Sequence, residues 1–405
     1  LNPRVLLVSR ALPCHLQGGL ERHVVDLATA MARLGARVHL LSAAAPPDFA
    51  ATMRERGVTL HGLPRVAPSR YTLAYLRRVG PAIDRLDAIH RFDVIHGQEF
   101  GLGFWNPEAA TWARVALTVH GTLTSETPLH PDVFATLGAV ARLKAIARYG
   151  RRLAFARHWL RAIDRSAAVL VDSDFTRREI ERLRPAARDR LRKVPLGVDP
   201  ELHPAIDRSE ARAALGWTED DAPRLVTVGR LEWQKGIDLA IEALNRLRSM
   251  PWRCVIAGDG AERSRLARSV EVLGLGDRIE LIGRVDDARK ALLLAGADLF
   301  VWPERTHPAF GLVGLEAMLM GTPVLASRRG AIPELIDDAS GWLFDPVDAG
   351  RLAEALRSIL SDPEGMRRRR EGLRERALAR FGVEAMARAT LEVYGERIEG
   401  RRGER

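Results

Sequence analysis

Two cations, Arg230 and Lys235, lie five residues apart in the stretch Gly229-Arg230-Leu231-Glu232-Trp233-Gln234-Lys235-Gly236. The aliphatic run 225–228 before it reads as a strand and the pattern from Ile237 as a helix, so the cations sit in a glycine-bounded strand-to-helix loop. That arrangement suits a diphosphate: a guanidinium makes fork-like contacts and an ammonium acts as a mobile point charge. The plainer reading is two solvated surface cations. A second stretch follows the run 299–302 and continues through Phe310-Gly311-Leu312-Val313-Gly314-Leu315-Glu316-Ala317-Met318. Its pattern predicts a helix starting near 310–311, whose unpaired N–H groups offer a second phosphate site. Glu316 then falls one to two turns into an otherwise apolar helix, where a carboxylate needs a partner or a ligand. A ribose diol donating two hydrogen bonds would serve.

In the first half, the run 5–8 leads to Gly18-Gly19 and then an amphipathic pattern over 20–34. Paired glycines ahead of a helix let a ligand approach the backbone and the free N–H groups. The pattern is not the GxGxxG dinucleotide fingerprint, which argues against an NAD enzyme. His120-Gly121-Thr122 places an imidazole at the C-terminal edge of the run 115–119. A lone histidine there is as readily structural as functional.

The elements that must position these residues alternate from end to end, short aliphatic runs with longer helical patterns, which is the signature of parallel α/β structure. Expected strands are 5–8, 38–41, 58–60, 94–96, 115–119, 168–171 and 191–194, then 225–228, 253–257, 279–282, 299–302 and 324–326. Between the two series lies 195–204, with three prolines and a glycine, read as a linker. Each side then carries its own Rossmann-like unit, 1–198 and 199–382, with ligands expected in a cleft between strand C-terminal edges. Helices are expected from Asp348 onward, the last over 383–398.

The chain has 405 residues, 46% hydrophobic and 28% charged, with 62 Lys plus Arg against 52 Asp plus Glu and a net charge of +10. This is a globular composition for two domains, drawn to anions. Cys14 and Cys254 have no metal-ligand spacing, so a disulfide framework and a zinc site are both disfavoured. The run at 5–8 is too short for a signal h-region, and no stretch has the length a membrane span needs. A cytoplasmic protein is expected.

Gly229-Arg230-Leu231 with Lys235-Gly236, Gly258-Asp259-Gly260, Phe310-Gly311-Leu312-Val313 running into Glu316-Ala317-Met318, and Gly321-Thr322-Pro323-Val324 followed by Pro333-Glu334 resemble the retaining glycosyltransferases of family 4. The resemblance extends to Gly18-Gly19, His120 and Pro195-Leu196-Gly197-Val198-Asp199 and so spans nearly the whole chain. It implies the GT-B fold, two Rossmann-like domains facing each other across a cleft. It implies a retaining, metal-independent transfer of a sugar from a nucleoside-diphosphate sugar to a hydroxyl acceptor, a glycolipid or a polysaccharide, with no other cofactor. Arg230 and Lys235 would bind the diphosphate and stabilise the departing nucleotide. Gly18 and Gly19 would let the N-terminal loop meet the phosphates, and His120 would lie beside the transferred sugar. Phe310, Gly311, Leu312 and Val313 would line the donor, Glu316 would hold the ribose, and the backbone around Arg284 would face the base. The last helix, 383–400, would pack back on the first domain. One departure stands out: the family's pair of glutamates seven residues apart would put the first at Pro308, which has no carboxylate. His307 and Glu304 are the nearby groups that could contact the sugar instead.

The stretch 142–161 interleaves cations with large apolar residues and contains no acid. As one helix it could lie on an anionic membrane surface, at the inner face of the membrane, or pack on its own domain with a basic outer face. No nucleic-acid motif accompanies it, and a nucleic-acid partner is not expected. The alternatives to a transferase are a nucleotide-sugar 2-epimerase of the same architecture and a non-catalytic nucleotide-sugar-binding protein, the latter suggested by Pro308.

Overall fold

Val5, Leu6, Leu7 and Val8 are all fully enclosed, because a central parallel strand is covered on both faces. Leu6 and Val8 join one apolar layer with Tyr75, Val79 and Ile83 of the helix Leu73–His90. Val5 and Leu7 join the opposite layer with Val24, Leu27 and Met31 of the helix Gly19–Arg33. Each such side chain stabilises the fold by roughly 1.5–3 kcal/mol, so the strand ends that carry the candidate residues rest on a rigid base.

The computed structural model describes residues 2–16, 18–68, 71–122, 125, 127, 129–149, 156–217 and 222–403, without the side chains of 132, 136, 148, 149 and 397–403. They form two compact units. The first comprises Leu1–Leu123, Ile146–Asp199 and Phe381–Arg405. Its strands are β1 (Arg4–Val8), β2 (Arg37–Ala43), β3 (Val58–Leu63), β4 (Val94–Gln98), β5 (Val115–Val119), β6 (Ala168–Val171) and β7 (Leu191–Lys193). They form a parallel sheet in the order β3-β2-β1-β4-β5-β6-β7. The order reverses between β1 and β4, which opens a crevice at their C-terminal ends.

The second unit comprises Thr124–Ala145 and Pro200–Arg380. Its strands are β8 (Arg224–Val228), β9 (Arg253–Ala257), β10 (Ile279–Gly283), β11 (Leu299–Trp302), β12 (Val324–Ser327) and β13 (Gly341–Phe344). They are parallel in the order β10-β9-β8-β11-β12-β13, and the reversal falls between β8 and β11.

Two features depart from the sequence reading. Strand β13 was not anticipated: it is a four-residue edge strand opening on Gly341, where a Cβ would lie 2.0 Å from the carbonyl oxygen of Val324. Close backbone approach requires the glycine, and that glycine masks the strand pattern. The segment 124–145, expected in the first domain, belongs to the second unit, held there by the His307 N–H donating to the Ser125 carbonyl at 3.0 Å and by the His130 ring 4.0 Å from that of His307. The described residues of the stretch 142–161 lie in the helices Ala139–Tyr149 and Ala156–Arg165, and 150–155 fall outside the described residues.

The last helix, Val383–Gly403, contributes Val383, Met386, Ala387, Val393 and Tyr394 to the core of the first unit. The chain around Gly197 lies against its start: Val198 pairs with Gly382, and a Cβ on Gly197 would lie 2.7 Å from the Gly382 carbonyl oxygen.

Candidate functional site

In the second unit, the loops after β8, β9 and β10 stack on one another through glycines. The Gly258 N–H donates to the Gly283 carbonyl at 2.7 Å, and a Cβ on Gly258 would sit 1.8 Å from the Gly229 oxygen. Arg230 follows Gly229; its side chain is 62% exposed and touches the Glu232 carboxylate at 3.1 Å. Arg284 follows Gly283 and is exposed.

Residues Trp233–Lys235 form one tight turn that ends at Gly236, which has φ +62° and opens the helix Ile237–Asn245. A Cβ on Gly236 would come 1.9 Å from the Pro303 carbonyl oxygen, so only glycine lets the loops after β8 and β11 close together. Arg305 locks the same turn. It donates to the Trp233 carbonyl at 3.0 Å and makes a two-pronged bond to Asp238 at 2.6 and 2.9 Å. Burial pushes the Asp238 carboxyl up, but the hydrogen bonds from Arg305, with Arg265 nearby, hold it below its usual range.

The Lys235 ammonium lies 2.7 Å from Glu304 Oε2. Glu304 is completely buried, and its other oxygen accepts from the Thr306 hydroxyl at 2.8 Å. Glu304 is therefore committed to holding Lys235. His307 is buried, with Nδ1 accepting from the Gly330 N–H at 3.3 Å. Pro308 offers only its carbonyl, which accepts from the Ala331 N–H at 2.9 Å.

The helix after β11 starts at Leu312, with Gly311 (φ +111°) as its N-cap and no side-chain cap. The Trp302 ring lies where a Gly311 Cβ would be, at 2.0 Å, so a glycine is required there too. Phe310 is buried, and Leu312 and Val313 are partly exposed in the first turn, whose N–H groups point out of the helix end. Glu316 Oε1 accepts from the Lys290 ammonium at 2.9 Å, and Lys290 also meets Asp287 at 3.2 Å. Lys290 had no signal in the sequence, because it lies on the neighbouring helix Asp287–Gly296.

In the first unit, Gly18 caps the helix Gly19–Arg33 without a side-chain bond, and both glycines are exposed. A Cβ on Gly18 would lie 2.3 Å from Glu21 Oε2, which belongs to a buried carboxylate paired to Arg10 at 2.7 Å. His120 stands at the end of β5 within a network assembled from three strand ends, those of β4, β5 and β6. Its Nδ1 lies 2.9 Å from Asp172 Oδ2, its Nε2 lies 2.8 Å from Gln98 Oε1, and its N–H donates to the Glu99 carboxylate at 2.6 Å. Glu99 adopts φ +52° to do so, a conformation costing roughly 1–3 kcal/mol for a residue with a Cβ.

Beneath His120, the buried His96 contacts the Tyr394 hydroxyl at 2.5 Å and the Thr118 hydroxyl at 2.6 Å. Burial drives His96 down to about 3, so it is neutral. Its Nε2 receives the Gln98 amide nitrogen at 3.3 Å, which turns the Gln98 oxygen toward His120. Both ring nitrogens of His120 thus lie against side-chain oxygens, of Asp172 and of Gln98. His23 packs edge-on at 4.9 Å, and burial followed by His120 itself keeps it neutral. Gln98, Glu99, Asp172, His96, His23 and Tyr394 all escaped sequence reasoning. The only available hint was that Gln98, Glu99 and Asp172, like His120, end or follow aliphatic runs.

Residues 207–377 match the family described as glycosyl transferases group 1, and residues 17–202 match glycosyltransferase family 4. A glycogen synthase from Mycobacterium tuberculosis is 30% identical over 99% of this chain and 96% of its own length. A D-inositol 3-phosphate glycosyltransferase from Catenulispora acidiphila is 29% identical over 95% of this chain and 92% of its own. Among solved structures, a sucrose-phosphate synthase from Thermosynechococcus elongatus superposes with a TM-score of 0.75 at 24% identity, covering 97% of this chain and 98% of that one. The Anabaena protein HepE in complex with UDP-glucose gives a TM-score of 0.69 at 19% identity over 97% of this chain and 100% of its own.

Proposed function

This chain belongs to the GT-B glycosyltransferases of family 4, and from that membership we propose that it moves a sugar from a nucleoside-diphosphate sugar to a hydroxyl acceptor with retention of anomeric configuration and without a metal ion. The observation that carries the reading is the Lys235–Glu304 pair beside the glycine-opened helix at Ile237. A buried carboxylate fixes an ammonium where a diphosphate could be received by that cation, by Arg230 and by the helix N–H groups.

In this reading Arg230 and Lys235 neutralise the negative charge that grows on the leaving phosphate, the work a metal does elsewhere. Phe310, Gly311, Leu312 and Val313 present the second helix end to the donor, the backbone around Arg284 faces the base, and Glu316 takes the ribose hydroxyls in exchange for Lys290. Gly18 and Gly19 offer backbone N–H groups to the phosphates. A sugar reaching His120 would meet its backbone or displace Gln98, because both ring nitrogens already have partners. His307 is the side chain next to Pro308 that remains for the sugar, since Glu304 is spent on Lys235. The leaving phosphate would take the acceptor proton, so attack and departure share one face.

A lipid-linked or glycolipid acceptor at an anionic membrane surface, on the cytoplasmic side, is the finer part of the proposal. Support comes from Val140, Leu143 and Ile146, which are 69%, 69% and 51% exposed on one side of the helix Ala139–Tyr149. The helix Ala156–Arg165 lends none, because its Trp159 is buried against the first unit's core. No helix among the described residues is long and apolar enough to cross a membrane.

The test is calorimetry of the purified protein with UDP, GDP, ADP and NAD, each with and without magnesium, followed by an acceptor screen with the matching sugar donor. Metal-independent binding of one nucleoside diphosphate and an α-linked product from an α-linked donor are expected. Binding of NAD alone, or of none of the four, would sink the proposal. Release of an epimerised sugar without acceptor would turn it toward a 2-epimerase.

A further inference from the structure

Three histidines meet on the first unit away from the network just described. His39 lies on β2, His61 on β3, and His90 is the last residue of the helix Leu73–His90. The parallel register sets Leu41 opposite His61 and His39 opposite Thr59, so the two strand histidines are diagonal neighbours on one face of the sheet. The helix runs back along that face toward the N-terminal ends of the strands. His90 therefore arrives beside His39 from a third element, and Arg91, at φ +50°, turns the chain toward β4. One coordinating nitrogen from each residue lies within 4.8 Å of the other two.

From this geometry we propose that His39, His61 and His90 form a binding site for a divalent transition metal of the zinc class, with water in the fourth position. The chemistry favours that class. Three imidazoles without a carboxylate suit Zn²⁺, Co²⁺, Ni²⁺ or Cu²⁺ and not Mg²⁺ or Ca²⁺. The fit is close: tetrahedral Zn²⁺ with Zn–N of about 2.0–2.1 Å spaces its ligand nitrogens about 3.3 Å apart. The His39 Nδ1 to His61 Nε2 separation is 2.8 Å, and the widest separation in the cluster requires an inward movement of about 1.5 Å or less. The residues are half-buried, so the rings can make that adjustment.

A proton shared between His39 and His61 accounts for two of the rings. It leaves no purpose for the third, which sits 4.3 Å from His39 and 5.7 Å from His61, centroid to centroid. Each imidazole, when neutral, offers one nitrogen lone pair to a metal. Phe92 closes one side, edge-on to His39 at 5.1 Å. His39 precedes the middle of β2 and His90 ends the returning helix, whereas Gln98, His120 and Asp172 stand at or just beyond strand C-terminal ends. The metal would therefore clip the sheet edge to a helix end and take no part in sugar transfer.

The experiment uses the full chain without a polyhistidine tag, titrated with Co²⁺ and then Zn²⁺. One Co²⁺ per chain with the intense visible band of a tetrahedral site, displaced by Zn²⁺, is expected, together with a rise in melting temperature that EDTA reverses. His90→Gln should weaken Zn²⁺ binding by at least about tenfold while preserving the fold. A band that survives unchanged in His90→Gln, or no band in the parent, overturns the site. His61→Asn serves if the first variant does not fold. Independently of any variant, the anomalous signal of a Zn²⁺-soaked crystal must peak among these three rings; a peak elsewhere or none at all refutes the assignment.

Discussion

Glu304 is fully enclosed, yet its carboxylate reaches the partly exposed ammonium of Lys235 at 2.7 Å across a loop-to-loop contact. The acid is thereby desolvated on behalf of a cation that is itself only partly buried. Removing either partner has a distinct signature.

Lys235→Ala removes the cation proposed to receive the diphosphate. Turnover is expected to fall by about 10²–10³-fold and donor affinity to fall with it. Steady-state kinetics in parallel with nucleotide calorimetry checks both, and unchanged kinetics would end the diphosphate assignment.

Glu304→Ala acts first on the fold. It strands a half-buried ammonium and leaves a hole beside Thr306 and Trp302, for an expected loss of about 2–4 kcal/mol. Urea unfolding measures this, and a loss below 1 kcal/mol would mean that water replaces the carboxylate.

Glu316→Gln should weaken nucleoside-diphosphate binding by about tenfold, the worth of one charge-assisted hydrogen bond. Lys290→Ala, which frees Glu316 from its ion pair, should leave binding equal or tighter. If both variants bind the nucleotide as the parent does, Glu316 does not contact the ribose.

Asp172→Asn keeps the shape around His120 and removes the charge at 2.9 Å from its Nδ1. Turnover should fall by about 10²-fold or more, with nucleoside-diphosphate affinity unaltered. A parallel loss of nucleotide binding would indicate that the substitution disturbs the unit as a whole.

Asp26, buried in the helix Gly19–Arg33, has its carboxyl raised to about 7 by burial, against the weaker pull of Arg22. Between about pH 4 and pH 7 the folded protein holds a proton that the unfolded chain has released, so this group makes stability fall as pH rises through that window. Asp26→Asn should therefore stabilise the protein by up to about 4 kcal/mol at pH 8, and by little at pH 4. Unfolding free energies of both proteins at the two pH values provide the comparison, and a gain independent of pH contradicts the protonation argument.

The parallel α/β plan was legible because every central strand is a short aliphatic run covered on both faces, as in Val5–Val8 or Leu299–Trp302. The glycine-bounded loops after β8 and β11 were legible because glycine is compulsory in them: Gly236 and Gly311 leave no room for a Cβ. What could not be read was assembled at a distance. Asp172 meets His120 across 52 residues and Lys290 meets Glu316 across 26, and an isolated Asp or Lys carries no mark of its partner. The stretch 142–161 left two readings open for a related reason: a basic helix with aromatics looks alike whether the aromatic faces a bilayer or the core, and tertiary packing puts Trp159 in the core.

The return of the chain at Phe381 has a consequence for how the protein is made. Tyr394 supports His96, and the helix bearing it fills the same core layer as β1. During synthesis the strands β1 to β7 leave the ribosome long before that helix exists. Pro200–Arg380 can close its sheet while its predecessor still waits with an open apolar face. The first unit to be translated is thus the last to be finished, and chaperone capture or aggregation of stalled chains should concentrate on that uncovered surface.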